Sequence, residues 1–170
     1  MTHPIQRRHA TLAILAACTT GLSLAETWPA KPIRLVVPFP AGGGTDIVAR
    51  DVSNKLTTST KWNFIVDNKP GSGGNLGIDT VAKAPADGYN LVIGQTSNLA
   101  INPTLYSKLP YDPVNDLTPV GLIGSAPLAL VVAANSPYKT LADAVAAAKA
   151  QPGGLNYATS GNGTVAHLAT

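Results

Sequence analysis

Apolar residues fall into short unbroken runs, separated by longer stretches in which they recur at helical spacing. Ile33-Arg34-Leu35-Val36-Val37 is β-branched, nearly continuous and bounded by prolines, which is the pattern of a parallel strand covered on both faces. From Asp46 the period changes. Val48, Val52 and Leu56 recur at helical intervals with Arg50, Asp51 and Lys55 on other faces, predicting an amphipathic helix. Phe64-Ile65-Val66 reads as a second strand. Ile78, Val81 and Ala82 mark a second helical face, stopped by Ala84-Pro85-Ala86-Asp87-Gly88, and Leu91-Val92-Ile93-Gly94 reads as a third strand. Strand, helix, strand, helix, strand predicts an α/β sheet with right-handed crossovers.

The pattern then changes. Pro103, Pro110, Pro113 and Pro119 prevent a long helix or central strand between Asn102 and Pro119, so this stretch reads as a connecting segment. Val120-Gly121-Leu122-Ile123, Leu128-Ala129-Leu130-Val131-Val132 and Leu155-Asn156-Tyr157-Ala158 read as further strands, with an alanine-rich helix from Leu141 to Ala150 stopped by Pro152-Gly153-Gly154. The expected organisation is a leader over 1–25, the N-terminal segment of a first lobe over 26–119, and the start of a second lobe over 120–170. A lobe begun near Val120 has too few residues left for its own core, since domains usually need roughly 100, so the chain is expected to be the N-terminal part of a longer protein.

The leader rests on Arg7 and Arg8, an apolar stretch from Ala10 to Ala17, and the small-x-small site Ser23-Leu24-Ala25, which would leave Glu26 at the mature N-terminus. Leu15-Ala16-Ala17-Cys18 offers a rival, lipid-anchored reading through Cys18. Either way the expected location is periplasmic. Composition narrows the chemistry. Cys18 is the only cysteine, so disulfides and thiolate metal sites are excluded from a mature chain starting at Glu26. Of three histidines only His167 lies beyond the leader, leaving no multi-histidine metal site. The formal charge of +3 includes Arg7 and Arg8; without them ten basic residues face nine acidic ones. With no Lys/Arg cluster, a nucleic-acid partner is not expected.

Glycine-rich turns carry the candidate chemistry. Pro38-Phe39-Pro40-Ala41-Gly42-Gly43-Gly44-Thr45-Asp46 and Pro70-Gly71-Ser72-Gly73-Gly74-Asn75 each follow a predicted strand and open a predicted helix, so both aim backbone N–H groups from one edge of a sheet. Ser160-Gly161-Asn162-Gly163-Thr164 repeats the pattern after Leu155 to Ala158, far enough along to belong to a different lobe. A ligand held from two sides is the expectation. Three consecutive glycines allow close backbone approach and positive φ, so the N–H groups of Ala41 to Thr45 could grasp a carboxylate. Asp46 either merely caps its helix or, in the functional reading, orders the loop or meets a ligand donor. The second turn departs from the dinucleotide fingerprint, because its third glycine, Gly77, is displaced from the required Leu76, and no phosphate loop is present. Ser72 and Ser160 lack the nucleophile-elbow context, leaving no catalytic set. Tyr106 and Tyr111 read chiefly as packing residues of the connecting segment, with ligand contact the lesser alternative, and His167 as a surface or packing histidine.

These motifs, together with Ala86-Asp87-Gly88-Tyr89, Asn102-Pro103 and Leu109-Pro110-Tyr111-Asp112-Pro113, resemble in order those of the tripartite tricarboxylate transporter receptors, also called Bug proteins, from about Trp28 onward. The resemblance implies an extracytoplasmic solute-binding protein of two α/β lobes in the type II periplasmic-binding architecture. It also implies closure on a small mono-, di- or tricarboxylate and delivery to integral-membrane permease subunits, with no catalysis, metal or cofactor. It places Phe39, Ala41, Gly42, Gly43, Gly44, Thr45 and Asp46 in the cleft with Gly73, Gly74, Asn75, Thr96, Ser97, Ser160, Gly161, Asn162, Gly163 and Thr164. Family members run to about twice this length. Two alternatives stand beside this reading, an α/β enzyme acting on an anionic substrate and a truncated fragment without function.

Overall fold

A computed structural model describes residues 27–170, so the leader and Cys18 lie outside the described residues. Contacts divide the chain into two units, 1–31 and 32–170, and every regular element described belongs to the second. Its centre is a parallel sheet of β1 (Ile33–Val37), β2 (Phe64–Asn68) and β3 (Asn90–Val92) in the order β2-β1-β3. Leu35 pairs with Val66 on one side and Leu91 on the other. Helix α1 (Gly44–Thr60) connects β1 to β2, and α2 (Asn75–Ala82) connects β2 to β3. The first crossover runs from central β1 to β2 and the second runs back from β2 past β1 to β3, in opposite directions, so right-handedness places them on opposite faces.

The α1 face holds the main apolar cluster, Leu35, Val37, Ala49 and Ile93, flanked by Phe39, Val66 and Leu91. The buried stripe of α1 differs from the expected one. Asp46, Ala49 and Ser53 face the sheet, whereas Val48 and Leu56 are exposed and Val52 is half-buried. Small residues let the helix approach β1 closely, and the two polar ones are satisfied: Ser53 donates to the Ala49 carbonyl at 2.7 Å, and Asp46 is enclosed by donors. Hydrogen-bond satisfaction thus outweighs side-chain hydrophobicity in deciding which face is buried.

On the opposite face Ile78 and Val36 are fully buried. A Cβ on Gly77 would lie 2.6 Å from Pro38 Cβ and 2.7 Å from its Cα, so only glycine lets the start of α2 rest on the residue that leaves β1.

After β3 a π-helical turn (Ser97–Ile101) runs into the short helix α3 (Asn102–Leu105), with Pro103 near its start. Helix α4 (Leu141–Ala150) has the predicted bounds and a reciprocal cap: Asp143 N–H donates to Thr140 Oγ1 at 3.2 Å and Thr140 N–H to Asp143 Oδ2 at 2.8 Å. The strands expected at 120–123, 128–132 and 155–158 do not form a ladder; these segments run without sheet partners. Val120 and Leu122 remain 88% and 90% exposed. A β-branched apolar run becomes a strand only when a neighbour takes up its N–H and C=O groups, and among the described residues none lies alongside. Helix α5 (Val165–Leu168) follows the third glycine turn.

Candidate functional site

The loops after β1, β2 and β3 all leave the sheet at its carboxyl edge. With β1 central, the chain turns one way through α1 and the other through α2, which makes this edge the point where α/β sheets open a crevice. A cavity of about 470 Å³ lies there, within the size range of small-molecule sites. The first turn lines it with Pro38, Phe39 and Pro40, the second with Pro70 to Gly74, and the third with Ser160, Gly161 and Asn162; Tyr106 closes one side.

The first turn is ordered from within. The Asp46 carboxylate accepts from Gly42 N–H at 2.8 Å, Arg50 Nε at 2.9 Å and Asn68 Nδ2 at 3.0 Å, and Asn68 also donates to the Phe39 carbonyl at 3.1 Å. The Arg50 hydrogen bond foremost, then those of Gly42 and Asn68, hold its carboxyl well below the usual carboxylate range against the opposing push of burial. Asp46 therefore orders the loop but does not cap its helix, whose N-cap is Gly43. The N-cap Gly43 has extended backbone and no side-chain cap, and the first internal bond of α1 is Ile47 N–H to the Gly43 carbonyl. The N–H groups of Gly44, Thr45 and Asp46 precede that ladder at the positive end of a 17-residue helix. Thr45 Oγ1 accepts from Gln95 Nε2 at 2.6 Å, tying this turn to the segment after β3.

The second and third turns meet directly. A Cβ on Gly73, which has φ of +64°, would stand 2.6 Å from the Asn162 carbonyl oxygen. Tyr106 Oη donates to that same carbonyl at 3.2 Å, and Val165 N–H donates to Ser97 Oγ at 3.1 Å. Behind the wall lies a cluster of buried polar side chains, Asn75, Ser97, Asn98, Asn102 and Thr164. With the Asn102 amide nitrogen turned to the carbonyls of Ser97 (3.2 Å) and Gly163 (2.9 Å), its oxygen faces the Asn75 amide at 2.7 Å. The Tyr111 hydroxyl donates to the Asn98 carbonyl at 2.7 Å and lies 2.9 Å from the Asn75 amide. Burial foremost pushes the Tyr111 phenol up to about 12, so it stays a neutral donor.

Of the residues singled out in the sequence, Phe39, Gly73, Gly74, Ser160, Gly161 and Asn162 line the cavity. Ala41, Gly42, Gly43 and Gly44 are exposed and Thr45 half-buried beside it, while Asn75, Ser97, Gly163 and Thr164 are buried behind it and Thr96 is exposed. Tyr106, expected chiefly to pack the connecting segment with ligand contact as the lesser alternative, is part of the wall; its signal was an aromatic set among prolines. Asn98 and Asn102 carried no signal of their own beyond the Asn102-Pro103 pair, because an isolated asparagine reads as a loop residue.

The chain is similar to known proteins. The model of a family described as tripartite tricarboxylate transporter family receptor matches residues 48–170. A UPF0065 protein in the tcbD-tcbE intergenic region of a Pseudomonas species is 40% identical over 169 residues, 98% of this chain and 50% of the relative. Among solved structures, R. palustris Rpa4515 with adipate has a TM-score of 0.71 and 35% identity over 84% of this chain and 48% of that one. The periplasmic binding protein BugD has a TM-score of 0.50 and 36% identity over 52% of this chain and 29% of that one. The chain spans about half the length of the curated relatives it matches.

Proposed function

The chain belongs to the tripartite tricarboxylate transporter receptor family, and from that premise we propose that it forms the N-terminal part of an exported receptor for a small organic carboxylate. The observation that carries this reading is the convergence of three glycine-rich turns on one cavity at the carboxyl edge of the sheet, beside a helix N-terminus that no side chain caps. A carboxylate at that N-terminus gains about 0.3 to 2 kcal/mol from the helix dipole. Each charge-assisted hydrogen bond from a backbone N–H adds about 1.5 to 3 kcal/mol. The first turn supplies the anion clamp through the N–H groups of Ala41, Gly44 and Thr45, since Gly42 N–H is held by Asp46 and Gly43 N–H by the Pro40 carbonyl, and Gly73, Gly74 and Ser160 to Asn162 close on the ligand from the second and third turns. Phe39 and Tyr106 cover its carbon chain.

The reading is capture without catalysis. The residues lining the cavity include no carboxylate, imidazole or ammonium group to act as acid, base or nucleophile partner. The complete receptor would close by hinge motion of two lobes and deliver its ligand to integral-membrane permease subunits. Export is supported by Arg7, Arg8 and the Ser23-Leu24-Ala25 site; the intact mass of periplasmic material should place Glu26 at the N-terminus, and an uncleaved cytoplasmic chain would sink it.

Titration calorimetry on the chain, and on a chimera continued by the C-terminal half of a relative, tests the ligand. Adipate should bind and its diamide should not. Equal binding of acid and amide would remove the anion clamp, and tight nucleotide binding with turnover would favour an enzyme.

A further inference from the structure

The geometry points to Asn102 as a positioning residue that sets the spacing between the second and third glycine turns, and so the width of the cavity, without touching its contents. Asn102 is fully buried and does not line the cavity. Its amide nitrogen reaches the Gly163 carbonyl in the third turn at 2.9 Å and the Ser97 carbonyl at 3.2 Å, and its oxygen faces Asn75, the residue that ends the second turn, at 2.7 Å. One side chain thereby ties together three segments far apart in sequence.

The space around it is fitted to that task. A Cβ on Gly163, at φ of +80°, would lie 2.6 Å from the Asn102 amide atom that faces the third turn and 2.9 Å from Tyr106, so the third turn can seat only if residue 163 has no side chain. The same turn is held beside Asn102 by Val165 N–H to Ser97 Oγ, and at the rim by Tyr106 to the Asn162 carbonyl. On the other side Asn75 is fixed by Tyr111, itself anchored on the Asn98 carbonyl. A buried amide that bonds on both ends gains little net stability over an apolar group of the same shape, but leaving its partners unpaired is costly. Such a group holds geometry more than it holds the fold together. Since Gly73 and Asn162 already touch, loosening Asn102 moves one wall relative to the other.

The role assigned to the cavity rests on the carboxylate-receptor reading; the clamp itself does not, and the experiment separates them. Asn102→Asp keeps the size and removes both donors. Amide hydrogen exchange is followed by NMR on the chain, with adipate affinity measured in parallel. The expected result is exchange at Thr164 and Val165 faster by about tenfold or more, with β1 amides at Val36 and Val37 unchanged, and adipate affinity lowered by about tenfold. Unchanged exchange at Thr164 and Val165 overturns the proposal whether or not adipate binds. If the wild-type protein ignores adipate, the receptor reading fails and the exchange arm still decides the clamp. Should Asn102→Asp lose β1 protection too, Asn102→Ser, which keeps one hydroxyl donor, decides by the same readout: selective loss at Thr164 and Val165 supports the clamp, and uniform loss reduces Asn102 to a fold residue.

Discussion

Replacing Gly74 with alanine should destabilise the protein by about 3 kcal/mol, and the structure separates two contributions. Gly74 has φ of +94°, where an L side chain costs about 1 to 2 kcal/mol. Its Cβ would also collide with Asn98 Nδ2 and press to 3.2 Å from Phe39 Cζ. Asn98 cannot swing aside freely, because it is fully buried and its Oδ1 accepts Gln95 N–H at 2.7 Å. Displacing it sacrifices that bond or forces the second turn outward, about 1 to 3 kcal/mol of overpacking. Gly42→Ala is the control: φ there is +80°, yet nothing lies within 4 Å of the new methyl, so it should cost only the strain, about 1 kcal/mol. Urea unfolding of both variants measures the difference, expected at about 2 kcal/mol, a midpoint separation of about 1 M for a typical slope. Equal losses would refute the packing argument and leave φ as the whole cause. Loss of cooperativity in Gly74→Ala alone would count with it.

Three further outcomes follow from the same coordinates. Gly43→Val should change stability by no more than about 1 kcal/mol, since the backbone there is extended at φ −76° and the nearest atom to a new Cβ is the Pro40 carbonyl oxygen at 3.3 Å. It should nonetheless abolish adipate binding in calorimetry by covering the start of α1, whereas Lys108→Ala should leave affinity unchanged. The Asp46 carboxyl titrates lower folded than unfolded, so its stabilisation is complete above the unfolded value near 4 and is lost as pH falls toward the folded one; urea midpoints from pH 6 to 3 should fall less in Asp46→Asn than in the wild type. The isolated 170-residue chain should enhance the fluorescence of an apolar dye through exposed Val120, Leu122, Leu130 and Val131, and the chimera should suppress it; a dye-silent chain would contradict this.

The sheet was legible because its strands carry the code locally. Ile33 to Val37 is apolar, β-branched and proline-bounded, and it is β1 residue for residue. The same code misleads at Val120 to Ile123 and Leu128 to Val132, since a strand is a property of a pair and the pairing partner is not encoded in the run itself. Helix α1 was found but its buried face was not: Val48, Val52 and Leu56 marked the expected stripe, whereas Asp46 and Ser53 are the buried residues, through bonds from Arg50 and Asn68 and to the Ala49 carbonyl. In the candidate site, glycine spacing revealed the turns, because a positive φ restricts residue choice strongly. The asparagines behind them stayed invisible. A short amide side chain has the same composition signal in a surface loop as in a buried clamp, and only the meeting of Asn75 with Asn102 across the fold distinguishes the two.

With Asp46 turned inward and Thr45 tied to Gln95, the first loop has only main chain to offer a visitor beyond Phe39 and its flanking prolines. A clamp made of peptide groups is blind to point mutation except where a substituent blocks it, so it can be inherited unchanged while preference drifts. On the carboxylate-receptor proposal, selectivity among acids would then fall to the residues with side chains at the opening, Phe39, Ser72, Tyr106 and Asn162 among them. Anyone retargeting such a scaffold to a new acid would therefore diversify those positions and keep the glycines fixed.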